Sequence, residues 1–269
     1  MKDGFYKALP MPDYLNEDAL SKSGLVELSR SPAHFKAAKE FPKESAAFDL
    51  GTAVHALVLE PDRAAALIVT PPAEVLAKNG YRTGSAYKAW EASRAPGAVI
   101  LKADDFDAAR RMADAVLSHP AARDMLTAGH PEVSAFWTDA NGVRRKCRPD
   151  YLNDFAAIDL KTTIDASPEG FGKQAFNLKY YWSAFWTTEI IRGLGGGSRP
   201  YVFIASEKTP PYPVAVYETP QELIDRAREE IAPLLDLYRD CLKADQFPGY
   251  HDVLMTLQVP RWAKKWEEE

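Results

Sequence analysis

The 269-residue chain is short of cysteine and of long apolar runs, and each shortage excludes a class of protein. Its two cysteines, Cys147 and Cys241, lie far apart and outside any CxxC pattern. Neither a disulfide framework nor a four-cysteine zinc or iron–sulfur site is therefore available. No apolar run approaches the roughly 20 residues that cross a membrane, and residues 1–14 lack the basic and apolar regions of a secretory signal. These absences predict a soluble, cytoplasmic protein with two buried free thiols.

The chain also lacks an overall positive charge, because its formal net charge is −5. That value argues against a protein that is basic all over, but nucleic acid stays open as a partner, since local potential decides binding. Basic residues do cluster at Arg144, Arg145, Lys146 and Arg148.

With 46% apolar residues the chain can bury a large core, and we expect a single domain over residues 1–269. Its expected parts are an N-terminal helical segment (1–50), a sheet and helix that carry the candidate chemistry (130–218), and a C-terminal helix and tail (219–269).

Apolar spacing predicts that the first half of the chain is mainly helical. Prolines mark the helix ends, and a stretch rich in Gly, Pro, Ser and basic residues predicts a functional loop. The predicted elements are two short helices within 17–41 joined at Ser31-Pro32, a helix from about 48 to 59 ended by Pro61, a loop over 71–97 with a short helix at 86–92, and a helix over 104–127 broken near Pro120.

From residue 133 the apolar period changes to two, which is typical of strands. Asn141-Gly142 is the strongest short hairpin signal, and Asn153-Asp154 predicts a second two-residue turn. The predicted elements are strands over 133–139, 143–152 and 155–162, a helix over 171–193, strands over 201–205 and 214–218, and an amphipathic helix from Gln221.

Two acidic residues and a lysine fall on one face of these predicted hairpins. With both turns as above, Asp150 lies opposite Ala157, so Asp159 is its diagonal neighbour at about 7–8 Å or somewhat less. Lys161 shares the face because side chains alternate along a strand, while the apolar residues between them point into the core. Carboxylates so placed can bridge one divalent ion, and hard oxygen ligands suit Mg²⁺ or Mn²⁺. Metal-dependent phosphodiester cleavage needs this set of residues.

Other residues are ambiguous on the sequence alone. Lys146 and Arg148 fall on the same predicted face and could hold a DNA backbone. The same register puts Glu132 near Asp150 but on the opposite face, so it needs a bulge to join the site. His55, on a short apolar helix, is by default a packed or capped histidine. The alternative for the whole set is that these are ordinary strand-end charges, which arise by chance in many chains.

Several motifs, taken in order, resemble one family over nearly the whole chain. They are YLNEDALSKSGLVELSRSPAHF, FDLGTAVHALVLEP, YRTGSAYKAWEA, PEVSAFW, CRPDYL, IDLKTT, a Tyr-rich helix and FPGYHDVLMTLQVPRWA. Together they resemble the RecE-type exodeoxyribonucleases, the exonuclease VIII family within the PD-(D/E)XK nucleases. The resemblance implies an α/β fold with a restriction-endonuclease-like PD-(D/E)XK core, in which helices flank a mixed central β-sheet. It also implies Mg²⁺-dependent degradation of linear duplex DNA from 5′ to 3′, which leaves 3′ overhangs for recombination by strand annealing.

Carried across motif by motif, the resemblance also implies roles for individual residues. Lys161 becomes the catalytic lysine and acts with Asp150, Asp159 and Glu132. The simple hairpin register must then fail near Glu132. The implied metal ligands are His55, Glu132, Asp150, Asp159 and the backbone carbonyl of Leu160.

The helix after the lysine strand departs from the family pattern. Members carry a Tyr, a Gln three residues later and a Tyr four after that, whereas here Tyr180 is followed by Ser183 and Thr187. These shorter side chains reach less far, so DNA contacts would be weakened or supplied by neighbours such as Gln174. The remaining DNA-binding candidates are Ser31, His34 and Arg82, for which capping and loop roles are equally open.

The resemblance extends to partners. It implies action on double-stranded DNA ends, a single-strand annealing protein of the RecT type and a ring-like homo-oligomer, with no membrane. Two other functions stay open. One is an endonuclease or flap nuclease of the same fold, and the other is a catalytically weakened DNA-binding assembly protein, which Ser183 and Thr187 favour.

Overall fold

The computed structural model describes residues 1–41, 49–77 and 79–260. Its first half is mainly helical, as predicted. In chain order the elements are β1 Gly4–Tyr6, α1 Met11–Asn16, α2 Lys22–Leu28, α3 Pro32–Glu40, α4 Asp49–Leu59, α5 Pro61–Leu67, β2 Ile68–Val69, a 3₁₀ turn at Ala73–Val75, α6 Ser85–Ala92, β3 Val99–Ile100, α7 Ala103–Ser118 and α8 Pro120–Met125.

Prolines set the boundaries of these helices. Pro32, Pro61 and Pro120 each lie in the first turn of a helix, where the missing N–H leaves no hydrogen bond unmade. The predicted breaks at these three positions are confirmed. Phe48, where the sequence placed the start of α4, lies outside the described residues.

The second half contains most of the strands. In chain order the elements are β4 Gly129–Pro131, β5 Ser134–Thr138, β6 Arg144–Cys147, β7 Tyr151–Asn153, β8 Ala157–Thr163, α9 Pro168–Asn177, α10 Tyr180–Gly193, β9 Tyr201–Glu207, β10 Val214–Glu218 and α11 Gln221–Ala244. Five strands form one mixed sheet in the order β10-β9-β8-β7-β4, in which only β8 and β9 run parallel. An antiparallel sheet β1-β5-β6 and a short parallel pair β2-β3 complete the described strands.

Two predicted elements are each divided in two. The single strand predicted over 143–152 is wrong, because β6 and β7 belong to different sheets and Pro149, between them, has no N–H for a ladder. The helix predicted over 171–193 is divided because Lys179 adopts a left-handed conformation (φ 53°) between α9 and α10.

The first hairpin has a loop of three residues rather than two. Asp139 Oδ1 accepts hydrogen bonds from the N–H groups of Asn141 and Val143, each at 2.9 Å. Gly142 takes a positive φ of 79°, which suits the residue that closes such a loop. The pairing of β5 with β6 is therefore one residue away from the predicted register.

The second hairpin is displaced by two residues. Leu152 pairs with Ala157, so the turn consists of Asp154 and Phe155 instead of Asn153-Asp154. Asn153 Oδ1 fixes this turn by accepting from the N–H groups of the two residues that follow Asp154, at 3.1 and 2.8 Å. A displacement of two keeps every side chain on its predicted face.

Helices cover both faces of the five-stranded sheet. On one face, Ile158, Leu160 and Ile204 are buried in a cluster with residues of α4 and α7. On the other face, Phe171 of α9 and Phe203 of β9 are buried together with residues of α10. Hydrophobic burial on both sides fixes the sheet, and thereby the strands that carry the acidic residues.

Both cysteines are free and buried, as predicted. Within the described part of the chain, no helix combines the length and the apolar composition that crossing a membrane requires.

Candidate metal and phosphate site

The displaced second hairpin brings two carboxylates together. Tyr151 pairs with Ile158, so Asp150, the residue before β7, comes next to Asp159, the residue after Ile158. The N–H of Leu160 donates to Asp150 Oδ2 at 2.7 Å, which fixes the carboxylate against β8. The side chains of Asp150 and Asp159 are within hydrogen-bonding distance of each other, which is closer than the diagonal arrangement that the sequence predicts.

Asp159 is held by two donors. Lys161 Nζ hydrogen-bonds to Asp159 Oδ1, and the hydroxyl of Tyr201 donates to Oδ2 at 3.0 Å. Burial raises the pKa of Asp159, but the Lys161 ammonium and the hydrogen bonds from Asp150 and Lys161 together outweigh burial and hold the pKa below its usual value. Burial and the Asp159 charge raise the pKa of Tyr201 well above its usual range, so this phenol keeps its proton. Asp159 is therefore an ionised, oriented carboxylate.

Tyr201 is a site residue that the sequence analysis missed. Tyr201 begins β9, which the sequence does predict as a strand, but the residues that follow it are apolar and give no signal of a polar site. The parallel pairing of β8 with β9 is what brings its hydroxyl to Asp159, and nothing in the sequence specifies that pairing.

The pKa of Asp150 is shifted in the opposite direction to that of Asp159. Burial and the neighbouring Asp159 charge raise its pKa well above the usual value for a carboxyl group. Burial likewise raises the pKa of Glu132. Buried carboxylates with raised pKa values are short of positive charge, which is the condition that a bound cation relieves.

Glu132 joins the site through a break between the two sheets. Glu132 lies between β4 and β5, which belong to different sheets, and Asp150 lies between β6 and β7, which change sheets likewise. The N–H of Glu132 donates to the Asp150 carbonyl at 2.9 Å, and Glu132 takes a left-handed φ of 53°. The continuous register that put Glu132 on the opposite face is therefore wrong. A strained non-glycine residue held in this way is common at functional sites.

His55 of α4 completes the cluster. Its Nδ1 lies 3.5 Å from Asp150 Oδ2, and the imidazole hydrogen-bonds to the backbone of Leu160. Burial lowers the pKa of His55 to about 4, so the ring is neutral at pH 7 and able to act as a ligand. One donor atom from each of His55, Glu132 and Asp150 lies within 4.8 Å of the other two.

This donor set fits a divalent cation. Two carboxylates and a neutral imidazole are ligands that Mg²⁺ or Mn²⁺ accepts, and the deficit of positive charge at Asp150 favours one. Asp159 and the Leu160 backbone border the same cluster through their contacts with Asp150 and His55. The structure thus brings together all five implied ligands.

Arg148 orients Glu132 rather than facing solvent. Its Nε donates to Glu132 Oε2 at 2.6 Å, and its Nη1 donates to the Leu9 carbonyl at 2.8 Å and to Ser134 Oγ at 3.1 Å. The side chain is only 7% exposed. This geometry argues against the predicted DNA contact and gives Arg148 the role of a partner that positions a ligand.

Lys146 is also engaged inside the protein. Its Nζ donates to the backbone carbonyls of Tyr14, Leu15 and Glu17 at 2.9, 3.1 and 2.8 Å. An ammonium group has three N–H donors, so none is left for a phosphate. The predicted DNA contact of Lys146 therefore does not fit the structure, because the chain breaks between β6 and β7, which lie in different sheets, and the alternation that put Lys146 on the face of Asp150 does not continue across the break.

Tyr180 and Gln174 lie next to the lysine of the site. The ring centre of Tyr180 is 5.5 Å from Lys161 Nζ, and Gln174 Nε2 is 3.4 Å from the Tyr180 hydroxyl. Gln174 is itself fixed by accepting from the Thr163 hydroxyl at 2.7 Å. Both DNA-binding predictions remain compatible with the structure.

The remaining DNA-binding candidates are Ser31, His34 and Arg82. Ser31 is buried and caps α3 by accepting from the His34 N–H at 3.3 Å, while its hydroxyl also pairs with His34 Nδ1 at 2.7 Å. The capping role thus accounts for Ser31. Arg82 is half-buried in the loop before α6. Thr187, which replaces the second Tyr of the family pattern, is buried, and its side chain is hydrogen-bonded to the Cys147 thiol.

An Asp immediately before β7, with an Asp and a Lys on the adjacent strand β8 of a mixed sheet that has helices on both faces, defines a PD-(D/E)XK-like protein. Among solved structures, the chain resembles a "putative exonuclease" from Eubacterium rectale, with a TM-score of 0.63 and 14% sequence identity over 95% of this chain and 96% of that one. At this identity the likeness shows the fold alone. The predicted fold class is confirmed.

The family described as "PDDEXK-like domain of unknown function (DUF3799)" matches residues 21–254, and the chain belongs to it. It is thereby a member of the PD-(D/E)XK nuclease superfamily. A search of curated proteins finds no match.

Proposed function

We propose that this protein is a Mg²⁺- or Mn²⁺-dependent exodeoxyribonuclease that degrades one strand of linear duplex DNA from 5′ to 3′. The observation that carries the proposal is the meeting of His55, Glu132 and Asp150, which come from three separate segments, beside Asp159 and Lys161. Residues that only form a stabilising ion pair need not come together from three separate segments. Five groups of the type that phosphodiester hydrolysis uses support a nuclease.

The chemistry divides between the cation and the chain. Asp150, Glu132 and His55 would hold a divalent cation, which would supply charge to bind the scissile phosphate and to lower the pKa of the attacking water. Asp159 and the Leu160 carbonyl are positioned to complete its ligands. Arg148 keeps Glu132 oriented, and Tyr201 keeps Asp159 oriented.

Lys161 supplies a fixed positive charge. Burial alone lowers its pKa, but the charges of Asp159 and Asp150 outweigh burial and hold the pKa above the usual value for lysine. Lys161 is therefore protonated at neutral pH. A protonated lysine does not remove a proton from water, so its role is to orient the attacking water and to offset the charge that develops on the phosphate.

The remaining parts of the proposal rest on the resemblance to the RecE-type exonucleases. Degradation from the 5′ end leaves a 3′ single strand, which a single-strand annealing protein of the RecT type would use in recombination. A ring-like homo-oligomer would keep the enzyme on the strand as it digests.

Digestion of end-labelled DNA tests this function. With Mg²⁺ we expect linear duplex to lose a 5′ label as mononucleotides while a 3′ label stays on the long strand, and EDTA should stop the reaction. Closed circular duplex should remain intact, because it has no ends. Cutting of the circle would favour the endonuclease or flap-nuclease alternative. Binding of linear duplex without any turnover would favour the weakened DNA-binding protein.

A further inference from the structure

A lysine outside the metal-binding motifs lies beside the site. Lys22 begins α2, and its half-buried side chain extends to the junction of α9 and α10, where its ammonium donates to the Leu178 carbonyl at 3.3 Å. The same ammonium is 5.9 Å from the ring centre of Tyr180, whose ring centre is also 5.5 Å from Lys161 Nζ. Two ammonium groups from distant parts of the sequence therefore share one aromatic ring.

The fold does not neutralise the charge of Lys22. Within residues 1–41, 49–77 and 79–260 it forms no ion pair, and its hydrogen bond goes to a neutral carbonyl. Burial lowers the pKa of Lys22 to about 8, Asp159 opposes that shift, and Lys161 and Lys179 add to it. A half-buried ammonium close to two others is unfavourable unless an anion joins them.

We propose that Lys22 binds a backbone phosphate of the strand that the site cleaves, beside the phosphate that Lys161 faces. This inference rests on the proposed nuclease function and adds a DNA contact to it. Each DNA strand carries one phosphate per ~3.4 Å of helix axis, so ammonium groups that share one ring can reach phosphates within a few nucleotides of each other. The ring of Tyr180 offers an aromatic surface to the nucleotide between them.

The contact would position the substrate without taking part in bond cleavage. Lys22 would hold a phosphate that does not react, and binding energy from such a group aligns the scissile bond with the attacking water. The lysine is a point charge on a flexible stem, which suits a backbone phosphate and reads no base. The contact is therefore expected to be independent of DNA sequence.

The variant Lys22→Met tests the proposal, because it keeps the apolar stem and removes the charge. We expect kcat/KM for linear duplex to fall about 10- to 100-fold. DNA binding in Mg²⁺, measured in an Asp150→Asn background in which cutting is at least about 10²-fold slower, should lose about one unit from the slope of log K against log salt. Lys22→Arg should restore most of both quantities, since it restores the charge.

The charge-matched control is Lys243→Met, which removes an exposed ammonium from the last turn of α11. It should leave both quantities at their wild-type values. An unchanged salt slope in Lys22→Met, even with lower activity or a lower melting temperature, would overturn the proposal and leave Lys22 as a residue that supports the α9-α10 junction. If the wild-type protein cuts no DNA, the proposed function fails separately, and the salt slope still decides whether Lys22 contacts a phosphate.

Discussion

Replacing Lys161 with methionine is expected to lower kcat for DNA hydrolysis by about 10²- to 10³-fold. The ammonium is fixed by Asp159 and stands where charge develops during cleavage, so its loss removes an interaction that is strongest in the transition state. Methionine keeps a similar stem. Because binding of the ground state depends on other residues, KM should change much less than kcat.

Two comparisons make this experiment decisive. Lys243→Met applies the same change to an exposed lysine and should digest DNA at the wild-type rate. Loss of Lys161 leaves Asp159 with Tyr201 as a hydrogen-bond partner, so activity is compared at a temperature at which circular dichroism shows both proteins to be folded. A Lys161→Met enzyme that retains more than about a tenth of wild-type kcat would contradict the role given to this lysine.

Replacing Asp150 with asparagine is expected to have opposite effects on activity and on stability. Asparagine still offers an oxygen to the Leu160 N–H but brings no charge, so the cation loses its central ligand and activity should fall by at least about 10²-fold. The same change removes a buried charge that Asp159 repels. In EDTA the melting temperature should therefore rise by about 2–4 °C, which corresponds to roughly 1 kcal/mol.

The matched control for this variant lies four residues along the same hairpin. Asp154 is fully exposed at the turn, so Asp154→Asn should alter neither the melting temperature nor the activity by a measurable amount. Addition of Mn²⁺ should raise the melting temperature of the wild-type protein and of Asp154→Asn, but not that of Asp150→Asn. A melting temperature for Asp150→Asn below the wild-type value in EDTA would show that Asp150 is a stabilising residue instead of a strained ligand.

Alternation along β8 is the part of the site that the sequence predicts best. A side-chain period of two puts Asp159 and Lys161 on one face whatever the details of the turn. The sequence predicts a turn at Asn153-Asp154, whereas the structure has it at Asp154-Phe155. The reason is that the Asn153 side chain accepts hydrogen bonds from the N–H groups of Phe155 and Ala156. The pairing of the two strands is thereby displaced by two residues, which keeps each side chain on its predicted face. The predicted face of Asp159 and Lys161 is therefore correct although the predicted pairing is not.

Local sequence patterns do not predict which residues that are distant in sequence come together in the site. Glu132 reaches Asp150 only because β4 and β5 separate into different sheets and Glu132 takes a left-handed conformation between them. The sequence pattern indicates that Lys146 and Arg148 are solvent-facing cations of a strand. In the structure, Lys146 instead donates to the Glu17 carbonyl and Arg148 donates to the Glu132 carboxylate, and both partners are distant in sequence. Such partners depend on how the sheets pack, which the sequence pattern does not specify.

The resemblance to the RecE-type exonucleases predicted two site residues that the spacing of apolar residues does not predict. It singled out His55 and Glu132, whose ordinary interpretation is structural, and the structure brings both to within reach of Asp150. Tyr201 and Lys22 belong to none of the metal-site motifs, and they emerged only from the contacts that they make with Asp159 and Tyr180.

Anomalous diffraction from crystals soaked in Mn²⁺ tests the central claim most directly. The account predicts a Mn²⁺ peak within about 2.2 Å of a carboxylate oxygen of Asp150, with His55 and Glu132 as further ligands, directly or through water. It also predicts that this peak is absent from Asp150→Asn crystals. A protein that digests DNA while its Mn²⁺ peak lies elsewhere, with these three side chains unliganded, would contradict the account.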